Sequence, residues 1–265
     1  MADVPIEDKQ MLVKDASPDE LVIETEKDAR INLTAVYRLL AYYGLDDTIF
    51  THASARVPGE NAFLLNPFGY LFDEITPDSL VKIEYDKHIN PDGTTKANAA
   101  GYVIHAAVLQ GLPDVECVIH THTTAGVAVS SLEDGILPIN QFAIEFHDRI
   151  GIHEYEGIAF NTDEGPRLQR DLEGKVGLIL RNHGLLTVGA SIPAAFYLTY
   201  YLEQACRVQM AALASGRQIR WPAPEVIEAA PGQFTSSREP RKAGVRMWPA
   251  MLRKLDSIDP NWRKG

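Results

Sequence analysis

The sequence predicts an α/β domain in which a mixed, mostly antiparallel sheet lies between layers of helices. Segments with the apolar spacing of helices alternate along the chain with short apolar runs typical of strands. Several successive strands are separated only by turn-rich connections, such as the Pro-Gly-Glu-Asn run of 58–61. Hairpin-linked strands pair antiparallel, which argues against a purely parallel sheet.

The elements follow from apolar periodicity and from residues that start or stop them. Ser191 and Pro193 mark the start of the longest helix, because serine caps free amides and proline is tolerated in the first turn. The apolar stretch 137–152 does not favour helix over strand. The predicted elements are a helix over 30–44, strands over 49–57, 62–66 and 80–85, a helix over 98–110, a strand over 115–121, a helix from 124, a helix over 164–172, a strand pair over 175–188 and a helix over 191–214.

The chain divides into three parts on composition. Residues 1–28 are polar without clear periodicity and are expected to form an N-terminal arm. Residues 29–216 carry the alternating elements and form the main domain. The Trp-Pro-Ala-Pro run at 221–224 is expected to start an irregular C-terminal extension, 217–265.

Charge and composition exclude several classes of partner. The formal net charge of −11 and the isoelectric point near 5.2 argue against nucleic-acid binding, which needs clustered Lys and Arg. No apolar run approaches membrane-spanning length, and the N-terminus lacks the features of a signal peptide, so a cytoplasmic location is expected. Cys117 and Cys206 lie in apolar contexts, so no disulfide framework is expected.

Three histidines are candidate metal ligands. Because alternate side chains of a strand share a face, His120 and His122 are expected to project side by side. His183, from another apolar strand, would complete the three-ligand, open arrangement typical of catalytic zinc. The glycine that follows it, Gly184, is expected to let other groups approach closely. Spacing alone leaves open a second interpretation, in which the three are buried histidines satisfied by hydrogen bonds.

A family resemblance favours the metal site. The segments Asp114-Val-Glu-Cys-Val-Ile-His-Thr-His122 and Leu180-Arg-Asn-His-Gly-Leu-Leu186, with the long helix after Ser191, resemble the class II aldolase/adducin family. Earlier segments at 51–56, 66–69 and 74–76 match in order, and the resemblance covers about 30–215 in a version closest to the adducin-like branch. It implies a three-layer α/β/α domain, a divalent metal held by the three histidines, and a homotetramer with active sites between subunits.

The chain departs from the family at one catalytic position. The resemblance implies that sugar-phosphate aldolases carry two serines and a proton-transferring glutamate where this chain has Ala99, Ala100 and Gly101. The expected substrate is therefore not a sugar phosphate, and another residue must handle the proton. Candidates in the variable stretch are Glu145, His147, Asp148, His153 and Tyr155, of which Glu145 and His147, on alternate positions, are preferred.

Four further residues are candidates for substrate binding. The resemblance places His52 at a substrate-contacting position, while Asn66 and Gly69 open a turn that could present backbone amides to an anion. A plain turn also explains that composition. His105 lies one helical turn after Gly101 and would either approach the metal site as a supporting donor or be a buried core histidine.

The preferred function is a metal-dependent carbon–carbon lyase, of aldolase or decarboxylase type, acting on a small non-phosphorylated oxo- or hydroxy-acid. One divalent ion per subunit is expected, with zinc preferred and manganese or iron open. A mononuclear non-heme iron oxygenase on the same scaffold is one alternative. A non-catalytic, adducin-like interaction domain is the other.

Overall fold

The computed structural model describes residues 23–85, 97, 99–157 and 162–264. Within these residues seven strands form one sheet that is flanked by helices. The helices are α1 (Glu26–Tyr42), α2 (Ala99–Gly111), α3 (Thr124–Ser130), α4 (Gln141–Ile144), α5 (Gly165–Leu172), α6 (Ile192–Ala214), α7 (Pro224–Ala229), α8 (Thr235–Arg238) and α9 (Trp248–Ile258). The strands are β1 (His52–Arg56), β2 (Ala62–Leu65), β3 (Val81–Glu84), β4 (Cys117–Thr121), β5 (Ile150–His153), β6 (Gly177–Leu180) and β7 (Gly184–Gly189).

The sheet is mixed and mostly antiparallel, as predicted. Its strand order is β3-β2-β1-β4-β7-β6-β5, and only β5 and β6 pair in parallel. β4 lies at the centre between β1 and β7 and is buried along its whole length. The strand that carries His120 is therefore among the most enclosed parts of the fold.

Helices cover both faces of the sheet, which confirms the three-layer α/β/α architecture. On one face the odd-numbered residues Ile119 and Leu185 face the helices α1, α3, α6 and α9. On the other face Val118 and Leu186 pack against α2 and α5. His52, Ser54 and His120 have the even parity of this second face, so they point toward α2.

The first helix begins earlier than its apolar pattern predicts. Thr25 caps it by accepting a hydrogen bond from the Asp28 backbone at 3.1 Å, and the Asp28 carboxylate accepts one from the Thr25 backbone. Polar residues fill this first turn, so apolar periodicity alone could not locate the start. The N-terminal arm predicted for 1–28 lies outside the described residues except for 23–28.

The prediction of an irregular C-terminal extension is wrong. Helices α7, α8 and α9 occupy much of this segment, and Trp248 and Trp262 are fully buried in the same core as Leu33. The Trp248 indole donates to the Asn32 side chain at 2.7 Å. The segment thus completes the core beneath α1. The division of the chain at residue 216 stays a prediction.

The ambiguous stretch 137–152 contains both kinds of element, helix α4 and most of strand β5. Within the described residues no helix is both long enough and apolar enough to cross a bilayer.

Candidate metal centre

The three predicted histidines meet at one point. The Nε2 atom of His122 lies 2.8 Å from Nε2 of His120 and 2.8 Å from Nε2 of His183. One nitrogen from each residue falls within 4.8 Å of the other two. His120 lies in β4, His122 directly follows that strand, and His183 lies in the turn between β6 and β7.

The turn before β7 brings His183 to the other two residues. Asn182 adopts a positive φ of 53°, a conformation that asparagine tolerates better than most residues. At Gly184 a Cβ atom would lie 2.3 Å from the Thr121 carbonyl oxygen, so only glycine lets β7 approach β4 here. The close approach predicted from the His-Gly pair is therefore present.

Hydrogen bonds on the far side of two rings set their tautomers. Nδ1 of His120 lies 2.9 Å from the Leu185 carbonyl oxygen, and Nδ1 of His122 lies 2.9 Å from an Asp47 carboxylate oxygen. Both partners are acceptors, so each Nδ1 must carry the proton. In a neutral imidazole the other nitrogen then has a free lone pair. Two Nε2 lone pairs therefore face each other across 2.8 Å.

This donor set fits a divalent metal ion. Burial lowers the pKa of His120, and it lowers that of His183 to about 4 with a further contribution from repulsion by His122. Both rings are thus held in the neutral form that binds metals. Facing lone pairs repel unless a cation lies between them. Among the residues that the structure describes, the group holds three imidazoles and no fourth protein ligand, which would leave a coordination position open, as in catalytic zinc sites.

A group of buried polar residues, His52, His105 and Ser54, lies beside the three candidate ligands. His52 pairs with His120 across β1 and β4, and their ring centroids are 5.1 Å apart. Nδ1 of His52 lies 2.7 Å from Nε2 of His105, and Nδ1 of His105 lies 2.5 Å from the Ser54 hydroxyl. All three side chains are buried. His105 therefore contacts His52, which lies beside His120, and its role as a supporting donor stays a prediction.

The ring of His52 occupies the space beside Gly101. A Cβ atom at position 101 would lie 2.7 Å from Cδ2 of that ring, closer than such contacts occur. Gly101 is the position at which the resemblance predicted a missing glutamate. A side chain there and the imidazole of His52 exclude each other in this conformation.

Asn66 and Gly69 are not joined to this group by any contact recorded for the described residues. Asn66 is fully buried, and its side-chain oxygen Oδ1 accepts a hydrogen bond of 3.0 Å from the Tyr37 hydroxyl. Its side-chain nitrogen has no hydrogen-bond partner among the described residues. Gly69 lies in an exposed turn with φ 91°. Their role in substrate binding stays a prediction.

Glu145 and His147 do not join the histidine group. The buried Glu145 carboxylate accepts hydrogen bonds from Ser236 and, at 3.1 Å, from Tyr197. Burial raises its pKa, against the opposing effect of these bonds. His147 lies 3.3 Å from Glu228 at the surface. These contacts favour structural roles, so the preference for this pair as proton-transfer residues finds no support in the geometry.

His153 and Tyr155 lie closer to the site. Both line a narrow cleft that also contains His183, Glu164 and Leu180. The Tyr155 ring centroid is 6.2 Å from that of His183. His153 is held between two carboxylates, at 2.8 Å from Asp171 in the last turn of α5 and 3.2 Å from Glu164 just before its first turn, and therefore ties β5 to both ends of α5.

Two residues that hold histidines of this site in place were not predicted from the sequence. Asp47 lies in the loop before β1 and orients His122, but its long separation from that residue gives no periodic signal. Ser54 lies two residues after His52 on the same strand face, so period-two spacing could have linked it to His52.

Comparison with known proteins agrees with the fold. The model of the class II aldolase and adducin N-terminal domain matches residues 31–210. A Pseudomonas aeruginosa protein provisionally named a class 2 aldolase is 44% identical over 92% of this chain and 95% of its own length. Mouse alpha-adducin is 42% identical over 72% of this chain, which spans only 26% of the adducin.

Solved structures show the same relationship. A crystal structure of an aldolase II superfamily protein from Pseudomonas syringae superposes with a TM-score of 0.84, at 44% identity over 92% of this chain and 98% of that one. An L-fuculose 1-phosphate aldolase from Glaciozyma antarctica superposes with a TM-score of 0.79, at 26% identity over 93% of this chain and 98% of that one. The chain belongs to the class II aldolase/adducin family.

Proposed function

We propose that this protein is a metal-dependent carbon–carbon lyase of aldolase or decarboxylase type, acting on a small non-phosphorylated oxo- or hydroxy-acid. One observation carries the proposal: the Nε2 atoms of His120, His122 and His183 converge, with Nδ1 of the first two held protonated by acceptors behind them. A divalent ion in that position would act as a Lewis acid that polarises a carbonyl or carboxylate oxygen.

The surroundings of the site support a substrate without phosphate. Ala99 and Ala100 offer no hydroxyls in place of the family's serines, and Gly101 offers no carboxylate. The cleft beside His183 is lined by Glu154, Glu156 and Glu164 and by one cationic side chain, Arg181, so acidic groups predominate. Acidic side chains repel a phosphate dianion more strongly than a monocarboxylate, so a substrate with a single negative charge is favoured.

Zinc is the preferred ion, and manganese and iron are alternatives. Within the described part of the chain, the group of converging ligand atoms contains three imidazoles and no carboxylate, whereas the common iron oxygenase arrangement has two histidines and one carboxylate. Asp47 contacts Nδ1 of His122 and so supports a ligand from behind. Oxygen uptake after anaerobic loading with ferrous iron would instead favour an oxygenase.

Metal content tests the site itself. Protein expressed with added zinc is expected to retain about one ion per chain, measured by elemental analysis after gel filtration. The variant His122→Ala should lose the ion while remaining folded. His147→Ala is the matched control, because His147 belongs to a separate surface group with Asp148 and Glu228. Equal retention in His122→Ala and the unaltered protein would contradict the site.

Product analysis tests the reaction. Zinc-loaded protein is incubated with a panel of short hydroxy- and oxo-acids and a parallel panel of sugar phosphates, and cleavage is followed by proton NMR. We expect metal-dependent cleavage in the acid panel that disappears in His122→Ala. Cleavage of the sugar phosphates alone would contradict the proposed substrate class, and cleavage of neither panel would count against the lyase assignment.

The similarity to mouse alpha-adducin supports a second candidate, a non-catalytic interaction domain. The converging histidines favour the enzyme, because an interaction surface has no need of three imidazole lone pairs at one point. Metal content separates the two candidates. Less than one ion per several chains after metal-replete expression would favour the interaction domain.

We also propose that the chain forms a homotetramer with active sites between subunits. Phe50, Phe68, Tyr70 and Leu71 are exposed large apolar side chains on the loops that flank β1 and β2, next to Asp47 of the site. Neighbouring exposed apolar side chains are typical of interfaces. Light scattering should give the mass of a tetramer, and Phe50→Glu should reduce it. A monomeric unaltered protein would contradict this arrangement.

A further inference from the structure

Beside the metal ligands, Ser54, His105 and His52 form a continuous line of buried side chains. Ser54 and His52 lie on β1, on the sheet face that packs against α2, and His105 comes from α2. The contacts run from the Ser54 hydroxyl to Nδ1 of His105 at 2.5 Å, and from Nε2 of His105 to Nδ1 of His52 at 2.7 Å. Nε2 of His52 is thereby left at the end of the line.

The serine sets the direction of this line. Ser54 is completely buried, and His105 is the one hydrogen-bond partner recorded for its hydroxyl among the described residues. Leaving a buried hydroxyl proton without an acceptor is costly, so Ser54 donates to Nδ1 of His105. His105 then carries its proton on Nε2 and donates it to Nδ1 of His52. In a neutral ring the proton of His52 must lie on Nε2.

The ring of His52 lies beside the candidate ligands without being one of them. His52 pairs with His120 across β1 and β4, and the centroids of the two rings are 5.1 Å apart. His52 is absent from the group of nitrogens close enough to share one ion. Burial lowers the pKa of His105 to about 3, and a neutral His105 that donates from Nε2 requires an unprotonated Nδ1 on His52.

We infer that Ser54 and His105 fix His52 as a neutral hydrogen-bond donor, whose Nε2–H binds an acceptor oxygen of the substrate beside the metal. This inference rests on the proposed function and narrows its substrate class. The substrate must present a carboxylate or carbonyl oxygen to Nε2. Ser54 is not a nucleophile, because its hydroxyl is buried and occupied by His105.

Gly101 makes this donor possible. A Cβ atom at 101 would overlap the His52 ring, so the chain can hold a side chain there or the imidazole, but not both in this conformation. The space in which the resemblance implies a carboxylate is therefore filled by the imidazole of His52, which comes from β1 and donates a hydrogen bond. Where the family has a carboxylate that accepts a proton, this chain has an imidazole N–H that stabilises negative charge on a substrate oxygen.

Histidine tautomers in the zinc-loaded protein test the inference directly. With isotope-labelled imidazole nitrogens, long-range proton–nitrogen NMR reports which nitrogen of each ring carries the proton. We expect Nε2–H tautomers for His52 and His105, and Nδ1–H tautomers for His120 and His122. An Nδ1–H tautomer at His52 would overturn the inference, whatever the metal content.

Substitution of Ser54 tests the same inference from the end of the hydrogen-bonded line that lies farthest from the Nε2 atom of His52. Ser54→Ala should remove the preference of His105 for the Nε2–H tautomer and shift the His52 signals. Ser236→Ala is the matched control, because it removes another buried hydroxyl that bonds an ionisable side chain, Glu145. Unchanged His52 and His105 signals in folded Ser54→Ala would contradict the inference.

A double-variant cycle tests the pairing of Gly101 with His52. Gly101→Ala should lower the unfolding midpoint, and the loss should largely disappear in a His52→Ala background, where the ring is absent. His52→Ala should still retain zinc, since His52 is not among the three residues whose nitrogens are close enough to share one ion. Zinc loss as complete as in His122→Ala would make His52 a ligand and overturn the inference. Absence of zinc from the unaltered protein would instead refute the proposed function.

Discussion

Replacement of Asp47 by asparagine tests whether the residues behind the ligands tune the metal site. The carboxylate lies 2.9 Å from Nδ1 of His122, on the side of the ring opposite the other two histidines. It fixes the tautomer of His122 and makes Nε2 a stronger donor to a cation. Asp47→Asn keeps the shape of the side chain and removes its charge.

The expected size of the effect follows from the exposure of the pair. Loss of an outer hydrogen-bond partner of a metal ligand typically lowers metal affinity by about 10–100-fold. The Asp47 side chain is 39% exposed and that of His122 is 26% exposed, so solvent screens their interaction. We therefore expect the lower end, a loss of about tenfold, which corresponds to about 1.4 kcal/mol of binding free energy.

The assay is a zinc titration in competition with a chromophoric chelator of known affinity, at neutral pH and fixed ionic strength. Asp46→Asn is the control, because it removes the same charge from the adjacent residue, for which no hydrogen bond to His122 is recorded. The reasoning is refuted if the two variants have the same zinc affinity.

Three further predictions concern stability. Trp248→Ala should lower the free energy of unfolding by about 3–5 kcal/mol in urea titrations, because Trp248 is fully buried. Trp221 is 51% exposed, so Trp221→Ala should change the free energy of unfolding by no more than about 0.5 kcal/mol. Effects of similar size in the two variants would place Trp248 outside the core. Gly184→Ala should cost about 1–3 kcal/mol and weaken zinc retention, because its Cβ would meet the Thr121 carbonyl; unaltered retention would contradict this. Burial lowers the pKa of His105 to about 3 from 6.5, so below about pH 6.5 the unfolded chain binds a proton there that the folded chain does not. The metal-free protein should then lose about 1.4 kcal/mol per pH unit through this residue as pH falls toward 4. His105→Gln should reduce the total slope by that amount and leave the contributions of the other buried histidines. An unreduced slope in the variant would refute this prediction.

The sheet and the convergence of the three histidines were accessible from the sequence because their signals are local. Turn residues between short apolar runs predicted antiparallel pairing, and the alternation of β4 placed His120 beside His122. His183 was found through the resemblance together with an apolar strand and a glycine. The structure shows the physical role of that glycine in the contact of Gly184 with Thr121.

Other features depend on contacts between distant segments, for which periodicity carries no signal. The parallel pairing of β5 with β6 is an example, as is the contact of Asp47 with His122. Glu145 has the expected alternation with His147, yet its carboxylate is bound by Ser236 from the C-terminal segment. The apolar spacing of α9, with Trp248 and Leu255 buried, was available in the sequence but was overlooked beside the nearby prolines.

Anomalous diffraction from crystals of the zinc-loaded protein tests the central claim most directly. One strong peak is predicted at about 2.0–2.1 Å from the Nε2 atoms of His120, His122 and His183, with a coordination position left open. No peak among these three residues, or zinc bound only at the surface group of His147, Asp148 and Glu228, would contradict the account.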